Sequence, residues 1–74
     1  DLVFAPGGEA WAFVSSRGGW PQLFLATAEG ERLLYANRNK LPIYAPPAWS
    51  TDGKQLALAV GDEVLLLDRM ESWV

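Results

Sequence analysis

The sequence predicts an all-β chain, a meander of short antiparallel strands. Three observations carry that prediction. Apolar runs of about five or six residues recur at short intervals, with Gly, Pro, Asn and Asp between them. Pro42, Pro46 and Pro47 keep the middle of the chain extended and bar a helix there. Both parities of each run are apolar, as in strands covered on both faces.

The elements follow in order. Leu2–Ala5 is the first strand and stops at Pro6-Gly7-Gly8. Ala10–Ser15 is the second, and Ser16–Pro21, with Gly18-Gly19, is a loop. Gln22–Thr27 is the third strand, and Ala28–Glu31 turns around Gly30. Arg32–Ala36 is the fourth. Asn37–Lys40 is a polar connector leading into the extended, proline-rich Leu41–Ala48. Ala48–Ser50 opens a second set, followed by the turn Thr51-Asp52-Gly53-Lys54. Asp bonds its own backbone in such a turn, and Gly takes positive φ without steric penalty. Gln55–Val60 and Glu63–Leu67 follow, separated by Gly61-Asp62. The rival reading is a short helix over Val64–Met70, because Leu-rich runs are ambiguous by periodicity alone. Met70–Val74 reads as a last strand or a helical end.

Composition narrows the function classes. The 74 residues make one domain at most, and 50% hydrophobic content excludes a disordered acidic tail. There is no Cys and no His, which removes zinc fingers, thiol chemistry, disulfide staples and His-based triads. Carboxylate-bound calcium is the metal chemistry left open, and no cofactor is expected. A net charge of -3 argues against a nucleic-acid binder. No apolar stretch reaches the roughly 18 residues of a membrane helix, so no membrane insertion is expected. The chain does not begin with Met and reads as a processed product or a piece of a longer protein.

The two-faced strands imply association. Ala10, Ala12 and Val14 alternate with Trp11 and Phe13; Leu56, Leu58 and Val60 alternate with Ala57 and Ala59; Val64 and Leu66 alternate with Leu65 and Leu67. Burying one Leu, Val or Phe stabilises by roughly 1.5–3 kcal/mol. Leaving about half a dozen in water forfeits on the order of 10 kcal/mol, comparable with a domain's whole net stability of about 5–15 kcal/mol. Two small sheets cover one face each by packing together. The outer faces then need another chain or more of this one. Intramolecular shielding of Leu56, Leu58, Leu65 and Leu67 together would remove that need.

An internal repeat points the same way. Phe4-Ala5-Pro6-Gly7-Gly8-Glu9-Ala10-Trp11-Ala12-Phe13-Val14 aligns with Trp49-Ser50-Thr51-Asp52-Gly53-Lys54-Gln55-Leu56-Ala57-Leu58-Ala59, an offset of 45 positions. After a contraction of four residues, Gln22-Leu23-Phe24-Leu25 aligns with Glu63-Val64-Leu65-Leu66. Pro47-Ala48-Trp49-Ser50-Thr51-Asp52-Gly53-Lys54-Gln55-Leu56-Ala57-Leu58 resembles the blade motif of TolB-like β-propellers, roughly P-x-W-S-P-D-G-K-x-I-A-F. Phe4–Ser15 resembles a degenerate copy, and Arg17-Gly18-Gly19, Gln22–Leu25 and Gly30 match the family's continuation. Thr51 stands where the motif has Pro, and Gly7 where it has Asp.

The resemblance implies antiparallel four-stranded blade units, a partial propeller of about two blades. It places one unit at 1–36, a connector at 37–46 and a second unit, short of its outermost strand, at 47–74. Propellers typically need about four to eight blades. The expectation is therefore a homo-oligomer of two or three chains, or the remainder of a longer propeller. The function implied is a non-catalytic scaffold for protein–protein interaction in a bacterial, periplasmic or otherwise extracytoplasmic setting. The alternatives are the non-catalytic propeller portion of a serine peptidase and a carbohydrate-binding module.

Individual residues have plain structural readings beside the functional ones. Trp20, in Gly18-Gly19-Trp20-Pro21, is a platform for a sugar or a partner, or a Trp folded back over a sheet end. Arg17 bonds to a neighbouring unit or an acidic partner, or is a solvated loop charge. Trp49, Ser50, Asp52 and Gly53 are structural members of the blade motif, with Asp52 a turn former rather than a calcium ligand or catalytic acid. Glu29 with Glu31, and Asp62 with Glu63, read as solvated hairpin tips. Arg38 and Lys40 are too few for a nucleic-acid footprint, and Tyr35 and Tyr44 read as packing residues. None of Ser15, Ser16, Ser50 and Ser72 lies in a nucleophile elbow or has a His for a base, so no catalytic residue is expected.

Overall fold

Seven strands follow one another with no helix among residues 2–69, the part of the chain that the computed structural model describes. They are β1 (Leu2–Phe4), β2 (Ala10–Ser15), β3 (Gln22–Thr27), β4 (Gly30–Tyr35), β5 (Ala48–Trp49), β6 (Gln55–Val60) and β7 (Glu63–Asp68). β1–β4 form a four-stranded antiparallel sheet in sequence order, and β5–β7 a three-stranded one. Neither sheet closes on itself. The Leu-rich run is strand β7 rather than a helix, because its leucines pair rung by rung with β6. The reading of Met70–Val74 falls outside the described residues.

Several strands end a residue away from the expected position, at β1, β4, β5 and β7, and the largest change is at the β3–β4 hairpin. The turn expected over Ala28–Glu31 is tighter: Thr27 pairs with Gly30, which already belongs to β4, and only Ala28 and Glu29 connect the strands. Gly30 has a φ of 123°, and the hydroxyl of Thr27 accepts from the Glu29 amide at 3.2 Å.

The two sheets share one core. Ala10, Ala12, Leu23, Leu25 and Leu34 of the first sheet join Leu56, Leu58, Val60 and Leu67 of the second in a single buried cluster. To this cluster β2 contributes the small residues Ala10 and Ala12 and β6 the large ones Leu56, Leu58 and Val60, an alternation that suits the close packing of protein interiors. Between Leu23 and Phe24 the register against β4 slips: Phe24 pairs with Leu33 but Leu23 with Tyr35. That bulge lets Leu34, fully buried, and Tyr35 both reach the core.

The sheets come together at their first strands. β1 and β5 are the only inter-sheet strand pair in close backbone approach among the described residues. There the Trp49 indole Nε1 donates to the Val3 carbonyl at 2.8 Å. Farther out, an open depression of about 450 Å³ lies between the β3–β4 hairpin and Arg69.

The repeat is visible in the backbone. In the first turn the Ala5 amide donates to the Ala10 carbonyl and the Gly8 amide to the Ala5 carbonyl, both at 2.9 Å. Forty-five positions on, the Ser50 amide donates to Gln55 at 2.8 Å and the Gly53 amide to Ser50 at 3.0 Å. Gly8 and Gly53 hold left-handed φ values of 76° and 73°, where a side chain would be strained.

Candidate functional site

Strand pleating decides which surfaces are left for a partner. With Ala10, Ala12, Leu23 and Leu25 turned inward, the alternate residues of the first sheet face out. Phe4 and Trp11 pair across β1 and β2, ring centroids 5.8 Å apart. Phe13 and Phe24 pair across β2 and β3 at 5.5 Å, nearly parallel. Leu33 lies beside Phe24 on β4. This outer face is aromatic and bulky, and Phe4 is 59% exposed.

The outer face of the second sheet is the opposite in texture. Ala48, Ala57 and Ala59 form a floor of small residues, and Val64 and Leu66 of β7 stand beside it. Val64 is 71% exposed and Leu66 66%. The four leucines expected to demand cover are not the ones in the open. Leu56 pairs with Leu67 and Leu58 with Leu65, so all four share the inner face. Three are buried and Leu65 packs against them. The shielding that would free these four leucines from any need of a partner is thus met within the chain, and the expectation built on them is overturned; the apolar residues left uncovered are those of the other parity, Val64, Leu66 and the alanines beside them.

Arg17 lies on the aromatic face. Its guanidinium sits 4.0 Å from the centre of the Phe24 ring and 5.8 Å from that of Phe13. Its Nη2 donates to Glu31 Oε1 at 2.9 Å, with both side chains about half exposed. Arg17 thus bridges loop and hairpin of its own sheet, and Glu31 is a partner rather than an isolated tip charge. An exposed ion pair of this kind contributes little stability; its effect is to lay a flat cation over apolar rings.

Trp20 is folded back over the sheet end. Its Nε1 donates to the Ala36 carbonyl at 3.3 Å, and the Lys40 ammonium lies 4.8 Å from its ring centre. A ring already stacked by a cation is a poor platform for a sugar. Tyr35 packs on the core as expected, but Tyr44 does not. It is 89% exposed, because the proline-rich connector runs over the surface and leaves its side chain outside.

The motif residues build a turn and a joint. Asp52 Oδ1 accepts from the Ser50 hydroxyl at 2.6 Å and from the Lys54 amide at 3.0 Å. The Ser50 hydroxyl in turn accepts from the Gln55 amide at 3.0 Å. These bonds, that of the Ser50 hydroxyl first, hold the Asp52 carboxyl below its ordinary pKa. Gly53 is buried against Pro6 of the first turn. Trp49 carries the bond to Val3, so the motif ties one sheet to the other.

Arg69 of this joint and Asn37 of the connector escaped the sequence reading. Arg69 stacks 5.4 Å from the Trp49 ring centre and donates through Nη1 to Glu9 Oε1 at 3.3 Å and to the Gly53 carbonyl at 3.2 Å. Asn37, read only as part of a polar connector, is fully buried. Its Nδ2 donates to the carbonyls of Pro21 at 2.7 Å and Leu41 at 2.9 Å, and its Oδ1 accepts from the Leu41 amide. Its φ is 49°, a left-handed value that Asn tolerates where most residues do not, so the signal in the sequence was an Asn directly after an apolar strand run.

The depression beside Arg69 is lined by Leu25, Thr27, Arg32 and the hairpin tip, with Arg32 Nη2 donating to the Arg69 carbonyl. No three metal-ligating side chains come together among the described residues. Comparison with known families, curated proteins and solved structures finds no match to this chain.

Proposed function

We propose that this chain is a non-catalytic β-propeller segment that serves as a scaffold for protein–protein interaction. One observation carries the reading: each sheet buries one face and presents the other, still apolar, to its surroundings, with Val64 and Leu66 about two-thirds exposed on a sheet that has three strands among the described residues. Monomers seldom leave such a patch open. The approach of the sheets at β1 and β5 supports radial stacking about the first strands. Further units, from copies of this chain or from a longer parent, cover the outer faces. The rigid stack then displays its loops to a partner.

Chemical denaturation at several protein concentrations, with mass measured alongside, tests this reading. Stability that depends on cover rises with concentration through mass action. A well-folded monomer at micromolar concentration, with a concentration-independent midpoint, overturns it.

A further inference from the structure

The two sheets repeat one pattern, and only one copy is covered. The repeat carries Ala12 onto Ala57 and Val14 onto Ala59, and Leu23 onto Val64 and Leu25 onto Leu66. Cross-strand register is preserved. Ala12 faces Leu25 as Ala57 faces Leu66, and Val14 faces Leu23 as Ala59 faces Val64. Yet Leu23 and Leu25 are 0% and 3% exposed, against 71% and 66% for Val64 and Leu66.

Leu23 and Leu25 are buried in one cluster with Leu56 and Leu58 of the second sheet's inner face, and Trp49 packs against that cluster. The same repeat carries Trp49, Leu56 and Leu58 onto Phe4, Trp11 and Phe13. They form the outer face of the first sheet. The chain therefore bears, on its far side, the counterpart of the surface that its open face matches.

We propose that the outer face of the second sheet docks against the outer face of the first sheet of a second copy, head to tail. The inference rests on the reading that the open faces need cover, and it names the cover. The new contact continues the one inside the chain: alanines of one layer against bulky side chains of the next. Phe4 takes the place of Trp49, over Ala48, as Trp49 stands over Val3. A two-fold pairing of second sheets would set alanine floors against each other and leave both aromatic faces in water. Head-to-tail contact is heterologous, and it leaves no free face only when it closes into a ring.

Two variants, each blocking one face, test the arrangement by sedimentation equilibrium. Leu66→Lys blocks the second sheet and Phe4→Lys the first; both positions are exposed, and far-UV circular dichroism checks that each variant folds. Val64→Lys replaces Leu66→Lys should the latter misfold. Wild type is expected to associate and each variant alone to be monomeric. A one-to-one mixture is expected to give a dimer of twice the chain mass and nothing larger, because one intact contact remains. Association of Phe4→Lys alone, with Leu66→Lys monomeric, means a two-fold pairing and overturns the proposal while keeping the need for cover. Association unchanged in both variants overturns it too. Wild type that folds at no concentration overturns the second copy in favour of a longer parent, whereas a stable folded monomer overturns both this proposal and the reading beneath it.

Discussion

The two turns of the repeat share a backbone and differ in what holds it. Both close with the same pair of amide–carbonyl bonds and a glycine in the left-handed region. The second adds the Ser50–Asp52 side-chain bonds and is pinned by Arg69. The first has Ala5 and Gly7 at the matching positions, which have no side-chain hydrogen-bonding group. Its neighbour Phe4 points outward where Trp49 packs inward. Backbone geometry therefore survives loss of the motif's side chains, and burial follows from which neighbour is present.

The strongest way to break this comparison is to put the same charge at equivalent positions. Leu25→Lys loses core packing and buries an ammonium, at least about 4 kcal/mol. That is most of the stability of a small domain, so loss of the folded circular dichroism signal is expected. Leu66→Lys at the matching exposed site is expected to shift monomer stability by no more than about 0.5 kcal/mol. Equal effects would mean that the faces are not differently covered.

Next comes the connector that separates the units. Asn37→Ala strands the Pro21 and Leu41 groups and strains a positive φ, at about 2–4 kcal/mol, read as a shift in the urea midpoint. Asn37→Gly relieves the strain alone and is expected to recover only part. The joint is next. Trp49→Ala is expected to cost about 2–3 kcal/mol, against less than about 1 kcal/mol for its counterpart Phe4→Ala at low concentration.

Smaller effects sharpen the turn comparison itself. Gly8→Ala and Gly53→Ala are each expected to cost about 1–2 kcal/mol. A Cβ at Gly8 meets nothing within 4 Å, and one at Gly53 meets only Pro6 at 3.6 Å, so φ dominates both. A neutral Gly8→Ala would show that the first turn does not need its left-handed residue. The smallest effect is in pH. Asp52 has a depressed folded pKa, so its contribution is present above the unfolded value and is lost as pH falls through the folded one. Comparing urea midpoints of wild type and Asp52→Asn below about pH 4 is expected to show their difference shrinking. The first turn, with Gly7 in that place, has no such dependence.

Much of the fold was legible because strands announce themselves locally. β2, β3 and β6 lie where Gly, Pro and the apolar runs put them, and the Thr51-Asp52-Gly53 turn formed as its chemistry requires. Which apolar parity stays in water was not legible. That depends on register and on how many sheets are at hand, and neither is a property of a single strand. Arg69 and Asn37 were hidden for a related reason, since their partners lie 60 and 16 residues away in sequence. Arg17 was noticed, but its seat on Phe24 required knowing that a loop folds over its own sheet.

Every ladder among the described residues joins consecutive strands. Each hairpin closes a short loop, so each sheet is able to zip up quickly and by itself. The docking of one sheet on the other, through Trp49 and Arg69, has a long sequence separation to bridge and is the slow event. If copies dock head to tail as proposed, folding and assembly of this polypeptide are one process at two scales, in which the last step of the first is rehearsed, between molecules, as the first step of the second.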